Sequence, residues 1–176
     1  VEGETLTLRS KKDPNDVHTV LVRKKRLQPY ATANLGLVYD SQGSLEDDRD
    51  AEDRTVTILT ASGESVVVTE KPGADPGAVD KILGELVERM KDDLIAALAT
   101  ELQASPAEAV QTSHAIGKGI ALKYNDAQGT DQICRVNVLV AEGFVFSAII
   151  QYQARNEARA REFAIPTLDS IRRLGK

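Results

Sequence analysis

The sequence predicts an α+β protein, in which an antiparallel sheet is flanked by a long central helix and a C-terminal helix. Two observations support this prediction most directly. Runs of β-branched and apolar residues, bounded by turn residues, occur in the first and last thirds of the chain. Between them lies a long segment whose apolar residues recur every three or four positions. A length of 176 residues fits one domain, so we expect residues 1–176 to form a single α+β domain.

The first third of the chain has the pattern of strands. Glu4–Arg9 alternates polar and apolar residues, Val17–Leu27 is rich in β-branched residues, and Leu35–Tyr39 is a shorter apolar run. A turn at residues 13–16, which include Pro14, separates the first two segments. We therefore expect these three segments to be extended.

A charged segment and a hairpin follow. Ser44–Asp53 (SLEDDRDAED) is too highly charged to pack in a core, so we expect an exposed loop at residues 44–53. Two runs rich in β-branched residues are Arg54–Thr60 and Glu64–Glu70, and they are separated by three small residues, Ala61-Ser62-Gly63. This pattern predicts a β-hairpin.

The central helix is predicted from Pro76 to Leu102. Asp75 can cap it, and Pro76 stands at the first helical position, where its missing N–H leaves no hydrogen bond unmade. A single apolar stripe follows the helical spacing, and its members are Val79, Ile82, Leu83, Leu86, Val87, Met90, Leu94, Leu98 and Leu102. Ser105 followed by Glu108 has the capping-box pattern, which predicts a short second helix.

The last third is predicted to form three strands and a helix. The strands are Ala115–Tyr124, Ile133–Val140 and Phe144–Tyr152, and the last two are joined by Glu142-Gly143. We expect Val136, Val138 and Val140 to share one face of this hairpin with Val145 or Phe146. A helix is expected from Asn156 to Leu174, broken or kinked at Pro166.

Four stretches of the C-terminal part resemble the PsbP-like superfamily, which includes bacterial DcrB-type proteins. They are Ile116–Tyr124 (IGKGIALKY), Arg135–Val140 (RVNVLV), Glu142–Phe146 (EGFVF) and Leu168–Arg172 (LDSIR). The first 50 residues depart from the compact start that is expected of the family. The resemblance implies an antiparallel sheet flanked by helices and a role in protein binding or assembly. It brings no shared catalytic residues that could be assigned to this chain.

Composition argues against several classes of partner. The 22 basic and 27 acidic residues give a net charge of −5, which disfavours nucleic acid and anionic membrane surfaces. Aromatic residues make up only 4% of the chain, and tryptophan is absent, which disfavours a platform for stacked bases. Apolar runs are too short to span a bilayer, so we expect no direct membrane span in this chain.

Three motifs invite a functional interpretation, and for each a structural one is favoured. Gly117-Lys118-Gly119 lacks the Ser or Thr and the helix that a phosphate-binding loop requires, so a crowded strand start is expected. The acidic run in residues 46–53 lacks the glycine of a calcium loop. Arg23-Lys24-Lys25-Arg26 could contact nucleic acid, but a charged edge strand fits an acidic protein better. We expect no metal and no cofactor.

Catalytic candidates are few. Cys134 could act as a nucleophile with His18 or His114 as its base, but neither histidine stands in a recognisable dyad context. Cys134 is better explained as a small strand residue, and no G-x-S-x-G is present. The sequence therefore predicts a protein that is not an enzyme.

Three hypotheses of function remain open. The first is a non-catalytic protein-binding or assembly module, which could be the mature part of an exported lipoprotein. The second is a cytoplasmic chaperone or adaptor that shields a hydrophobic segment of a client, and the third is an enzyme whose site the sequence does not show. The chain begins at Val1, so we expect that residues were removed, by leader cleavage or by trimming. An exported, membrane-tethered location and a cytoplasmic location therefore both stay open. The expected partner is a protein, and the candidate contact residues are Arg23, Lys24, Lys25, Arg26, Phe163 and Leu168.

Overall fold

The computed structural model describes residues 4–9, 17–22, 27–40, 42–49, 53–60 and 63–174. These residues form an α+β structure, as the sequence predicts. The strands are β1 Glu4–Arg9, β2 Val17–Val22, β3 Leu27–Ala31, β4 Leu35–Asp40, β5 Ser44–Asp48, β6 Thr55–Leu59, β7 Ser65–Glu70, β8 Thr100–Ala104, β9 Glu108–Gln111, β10 Ile116–Asn125, β11 Asp131–Ala141, β12 Phe144–Gln153 and β13 Arg172–Arg173. The helices are α1 Val79–Ala96 and α2 Glu157–Ser170, and neither is long and apolar enough to cross a membrane.

A large antiparallel sheet forms the centre of the structure. Its strands run in the order β5-β6-β7-β12-β11-β10-β8, and β9 also pairs with β10. A smaller antiparallel sheet has the order β13-β4-β3, and β1 pairs with β2. The predicted hairpin of β6 and β7 is confirmed, since Val56 lies opposite Val68 and Ile58 opposite Val66.

The hairpin of β11 and β12 pairs Gln132–Ala141 with Phe144–Gln153 in an unbroken register. Val140 lies opposite Val145, and the turn residues Glu142 and Gly143 have φ angles of 47° and 77°. Positive φ at both turn residues is the geometry that suits the twist of a two-residue hairpin. Val136 and Val138 pack in the same core as Val145, whereas Phe146 packs on the opposite face. The predicted shared face is thus confirmed with Val145.

The large sheet has a core on each face. Helix α1 covers one face, where Leu83, Leu86 and Val87 pack against strand residues such as Leu122 and Val136. The other face packs against α2 and the β3–β4 hairpin, and its core includes Leu35, Phe146 and Ala164. Because side chains of a strand alternate between faces, neighbouring residues such as Val138 and Leu139 serve different cores.

The predicted end of the central helix is wrong. Asp75 does cap the first turn, since its carboxylate accepts a hydrogen bond from the Gly77 amide at 2.8 Å. However, α1 ends at Ala96, Leu98 is 71% exposed with a φ of 62°, and β8 begins at Thr100. The free edge of β10 offers backbone hydrogen bonds to residues 100–104, and these replace the helical ones. The four-residue spacing of Leu94, Leu98 and Leu102 therefore does not mark a helix that continues to Leu102.

The helix predicted after Ser105 is also absent, because β9 begins at Glu108. The Ser105 hydroxyl accepts a hydrogen bond from the Ala121 amide at 3.0 Å, and the Ser105 amide donates to the Ala121 carbonyl at 2.8 Å. Ser105 is thus bound to β10 and does not cap a helix. A serine followed three residues later by a glutamate therefore occurs here in the connection between strands β8 and β9, and not at the start of a helix.

The acidic segment at residues 44–53, predicted as an exposed loop, begins instead as a strand. Its first five residues form β5, which pairs with β6. The side chain of Asp47 is only 7% exposed, and its carboxylate accepts hydrogen bonds from Arg54 Nε at 2.9 Å and Nη2 at 2.5 Å, and another from the Tyr30 hydroxyl. The Arg54 guanidinium is the main reason why the pKa of Asp47 lies well below its usual range. One charge of the run, that of Asp47, is therefore turned inward to partners, while Glu46 and Asp48 are exposed.

The C-terminal helix is shorter than predicted and is not ended by Pro166. Helix α2 covers Glu157–Ser170, continues through Pro166, and is followed by the two-residue strand β13. Next to Pro166, the Thr167 hydroxyl donates to the Phe163 carbonyl at 3.1 Å. Of the run 17–27, predicted as one extended segment, Val17–Val22 form β2 and Leu27 begins β3, and Arg23–Arg26 lie outside the described residues.

Candidate binding cleft

Two adjoining cavities lie where the small sheet meets one end of the large sheet. The first, called here the polar cavity, has a volume of about 440 Å³. Its walls come from the β9–β10 turn, the start of β10, the β11–β12 turn and β13. Its lining includes Gln111, Ser113, Glu142, Arg172 and Arg173.

The second cavity, called here the apolar cavity, has a volume of about 400 Å³. Strands β3 and β4, the end of α2 and Leu174 form its walls, and Pro29, Leu37 and Val38 give it an apolar surface. His114 and Arg172 line both cavities. The two spaces therefore form one binding cleft that is charged at one end and apolar at the other.

Hydrogen bonds fix the β9–β10 turn in place. The Thr112 hydroxyl accepts from the Ala115 amide at 2.9 Å. Ser113 donates to the Asp169 carboxylate of α2 through its amide at 2.8 Å and its hydroxyl at 2.7 Å. These two bonds lower the pKa of Asp169, so this contact between turn and helix is present at neutral pH.

The β3–β4 wall is held to the large sheet by a buried carboxylate. Glu70 on β7 is 2% exposed, and it accepts hydrogen bonds from the Thr32 hydroxyl and from the Asn34 side-chain amide, the latter at 2.6 Å. On the other side of the hairpin, the Val38 amide donates to the Ser170 hydroxyl at 2.9 Å. Both contacts connect the apolar cavity to elements of the main core.

Glu70→Gln should lower the free energy of unfolding by about 1–2 kcal/mol, because the neutral amide weakens two hydrogen bonds and turns an N–H group toward a donor. Urea denaturation of the wild type and the variant measures this difference. Glu108→Gln, on an exposed strand residue, is the matched control and should change stability little. Equal stability of the Glu70→Gln variant and the wild type would contradict a stabilising role of these hydrogen bonds.

The arginines of β13 are the main charges of the polar cavity. The Arg173 guanidinium lies over the Phe144 ring at 4.2 Å from its centre, and Nη1 is buried without a hydrogen-bond partner. Arg172 is exposed. Among the described residues, neither arginine forms an ion pair with a carboxylate.

Ser113, His114 and Asp169 come together at this cleft without the geometry of a catalytic triad. In a triad the histidine lies between the serine and the carboxylate, whereas here the Ser113 hydroxyl binds Asp169 directly. A carboxylate with a lowered pKa is also a weak general base. The arrangement anchors a turn.

The other catalytic candidates are placed as structural residues. Cys134 is 0% exposed, and burial raises the pKa of its thiol to about 12, so little thiolate forms at neutral pH. Gly117 lies within β10, where an added Cβ would come within 2.0 Å of the Val138 carbonyl oxygen. The close approach of two strands explains this glycine. Asp47 is engaged by Arg54, and no cluster of His, Cys, Asp or Glu within the described ranges could hold a metal ion.

Of the contact residues predicted from the sequence, Phe163 and Leu168 do not line this cleft. Arg23–Arg26 lie outside the described residues, Phe163 is half-buried, and Leu168 is 8% exposed as part of the core. Leu168 packs in the core of this structure, and partner binding at all of the predicted positions stays a prediction. The sequence feature that could have indicated the cleft is the pair of arginines, Arg172 and Arg173, after the last helix. The predicted helix included both residues, so they were not recognised as a separate feature.

Comparisons with solved structures support the fold. The solution structure of cyanobacterial PsbP (CyanoP) from Synechocystis aligns with a TM-score of 0.59 and 13% identity, over 87% of this chain and 95% of that chain. LpqN of Mycobacterium tuberculosis, described as involved in cell envelope biogenesis, aligns with a TM-score of 0.51 and 12% identity, over 98% of this chain and 91% of that chain. No protein-family model and no curated protein matches the chain. At this identity the likeness shows the fold alone.

Proposed function

We propose that this chain, which has the PsbP-like fold, is a non-catalytic protein-binding or assembly module that holds a segment of a protein partner in the binding cleft. The observation that supports the proposal is the adjoining pair of cavities, one charged and one apolar, with walls fixed by hydrogen bonds. A preorganised cleft loses little entropy when a partner binds. A polypeptide carries charged and apolar side chains close together, as this cleft requires.

An association with the cell envelope is part of the same proposal. LpqN, which shares the fold, is described as involved in cell envelope biogenesis. An exported, membrane-tethered form of this chain would fit such a role, as would the absence of a recognisable catalytic pair at the cleft.

A client-shielding adaptor is the second candidate, and a separate surface favours it. Ile95 is 60% exposed and Leu98 is 71% exposed at the end of α1. The positive φ of Leu98 adds backbone strain to the exposure of its side chain. Exposed apolar side chains on a strained segment suit contact with a hydrophobic client.

Site-specific photo-crosslinking tests the proposal. Ile116 is 65% exposed and lines the polar cavity, whereas Ile95 is 60% exposed on the helix that covers the opposite face of the sheet. Each isoleucine is replaced in turn by benzoylphenylalanine in the source cells, and adducts are identified by mass spectrometry. We expect one protein to cross-link reproducibly from position 116 and not from position 95.

The two positions form a matched pair, since both are isoleucines of similar exposure. Adducts from position 95 alone would favour the client-shielding candidate. The absence of any specific adduct from position 116 would contradict binding at the cleft.

A further inference from the structure

The polar cavity contains cationic groups that the described protein does not neutralise. Arg173 has its guanidinium carbon over the Phe144 ring, and its buried Nη1 lacks an acceptor. An N–H group of a guanidinium that has lost water without gaining an acceptor is costly. Arg173 lines the polar cavity, so an anion bound there would offset the positive charge of this guanidinium.

A second arginine strengthens the positive field. Arg172 lines both cavities, and its Nε lies near Gly36 of β4, so its stem follows the wall between the cavities. The acidic group among the lining residues is Glu142, at the β11–β12 turn. Two arginines against one carboxylate leave the polar cavity with a net positive charge.

We propose that the polar cavity binds an aspartate or glutamate side chain of the partner segment, while the apolar cavity takes an apolar side chain of the same segment. This inference rests on the proposed function and adds the chemistry that the cleft recognises. Guanidinium groups bind carboxylates through paired N–H donors. Arg172 lines both cavities, so its guanidinium is placed to bind a carboxylate whose neighbouring side chain occupies the apolar cavity.

A peptide carboxylate fits the surroundings better than a polyphosphate chain. Arg172 and Arg173 exceed the one lining carboxylate, Glu142, by a single positive charge, and the whole chain has a net charge of −5. Such a surface repels a ligand that carries many negative charges. A single carboxylate next to an apolar group avoids most of this repulsion.

Fluorescence anisotropy with defined peptides tests the inference. The probe is a fluorescein-labelled, C-terminally amidated peptide with a single Glu between Val residues, and the matched probe has Gln in place of that Glu. We expect the Glu peptide to bind at least about tenfold more tightly than the Gln peptide, because hydrogen bonds to charged groups are stronger than neutral ones. Equal affinities, or no binding of the Glu peptide, would overturn the inference.

Two variants assign the effect to the cavity. Arg172→Gln, at an exposed position, should weaken binding of the Glu peptide roughly 10-fold or more while leaving binding of the Gln peptide unchanged. Arg173→Lys keeps the charge but loses the paired donors, so we expect an intermediate loss. Arg89→Gln, at an exposed position of α1, removes the same charge elsewhere and should have no effect. Thermal melts of each variant verify that the fold is kept.

Further outcomes separate this inference from the proposed function. If position 116 still cross-links to a partner but the Arg172→Gln variant binds the Glu peptide as the wild type does, the carboxylate inference is wrong and the binding function stands. If inorganic phosphate displaces the probe at concentrations where acetate does not, the cavity prefers phosphate, which also overturns the inference. Loss of the cross-link at position 116 would remove the proposed function itself.

Discussion

Leu86→Ala should lower the free energy of unfolding by about 2–5 kcal/mol, the range observed when a buried leucine is truncated in a packed core. Leu86 is 6% exposed and packs between α1 and the large sheet, in the same core as Leu122 and Val136. The sheet and the helix both have regular backbone hydrogen bonds, so the cavity left by the truncation cannot collapse fully. Chemical denaturation followed by circular dichroism measures the change.

Leu98→Ala is the matched control for this prediction. Both leucines belong to one helical stripe in the sequence, but Leu98 is 71% exposed and lies beyond the end of α1. Its truncation should change the free energy of unfolding by less than about 0.5 kcal/mol, as surface substitutions usually do. A large loss for Leu98→Ala, or a small one for Leu86→Ala, would contradict the packing of α1 described here.

Asp47→Asn should lower the free energy of unfolding by about 2–3 kcal/mol at pH 7, because it leaves the partly buried Arg54 guanidinium without its carboxylate. The side chains of Asp47 and Arg54 are 7% and 20% exposed, and Tyr30 also donates to Asp47. Removal of one partner from such a pair costs more than the pair contributes as a whole. A double-mutant cycle with Arg54→Gln should show that the two losses are not additive.

The effect of Asp47→Asn should also depend on pH in a defined direction. The pKa of Asp47 is lower in the folded than in the unfolded protein, so its contribution to stability is complete above the unfolded pKa. The contribution is then lost as the pH falls below about 4 toward the folded-state pKa. The stability difference between variant and wild type should therefore shrink on acidification. Glu46→Gln, on an exposed residue of the same strand, should show no such loss, and a difference that is constant with pH would contradict the role of Asp47.

The local sequence pattern was sufficient to predict an element where the segment contains both a clear periodicity and the residues that form its turn or cap. The hairpin of β11 and β12 was predicted with its shared face because alternation fixes the faces and Glu142-Gly143 fixes the register. The start of the long helix was predicted from Asp75 and Pro76, since a cap acts within a few residues. The PsbP-like resemblance of the C-terminal strands agrees with the observed fold.

The sequence by itself determined the α+β class, the main hairpins, the start of α1 and its inward stripe as far as Leu94, because these depend on contacts between near neighbours in the chain. The tertiary structure decided the end of α1, the pairing of Ser105 with β10, the strand at Ser44–Asp48 and the cleft at β13. In each case a distant strand edge or a distant charge competes with the local preference. The edge of β10 takes residues 100–104 out of the helix, and Arg54 makes a buried position acceptable for Asp47. Arg172 and Ser113 are 59 positions apart in the sequence and line one cavity only because α2 and the β9–β10 turn are joined through Asp169.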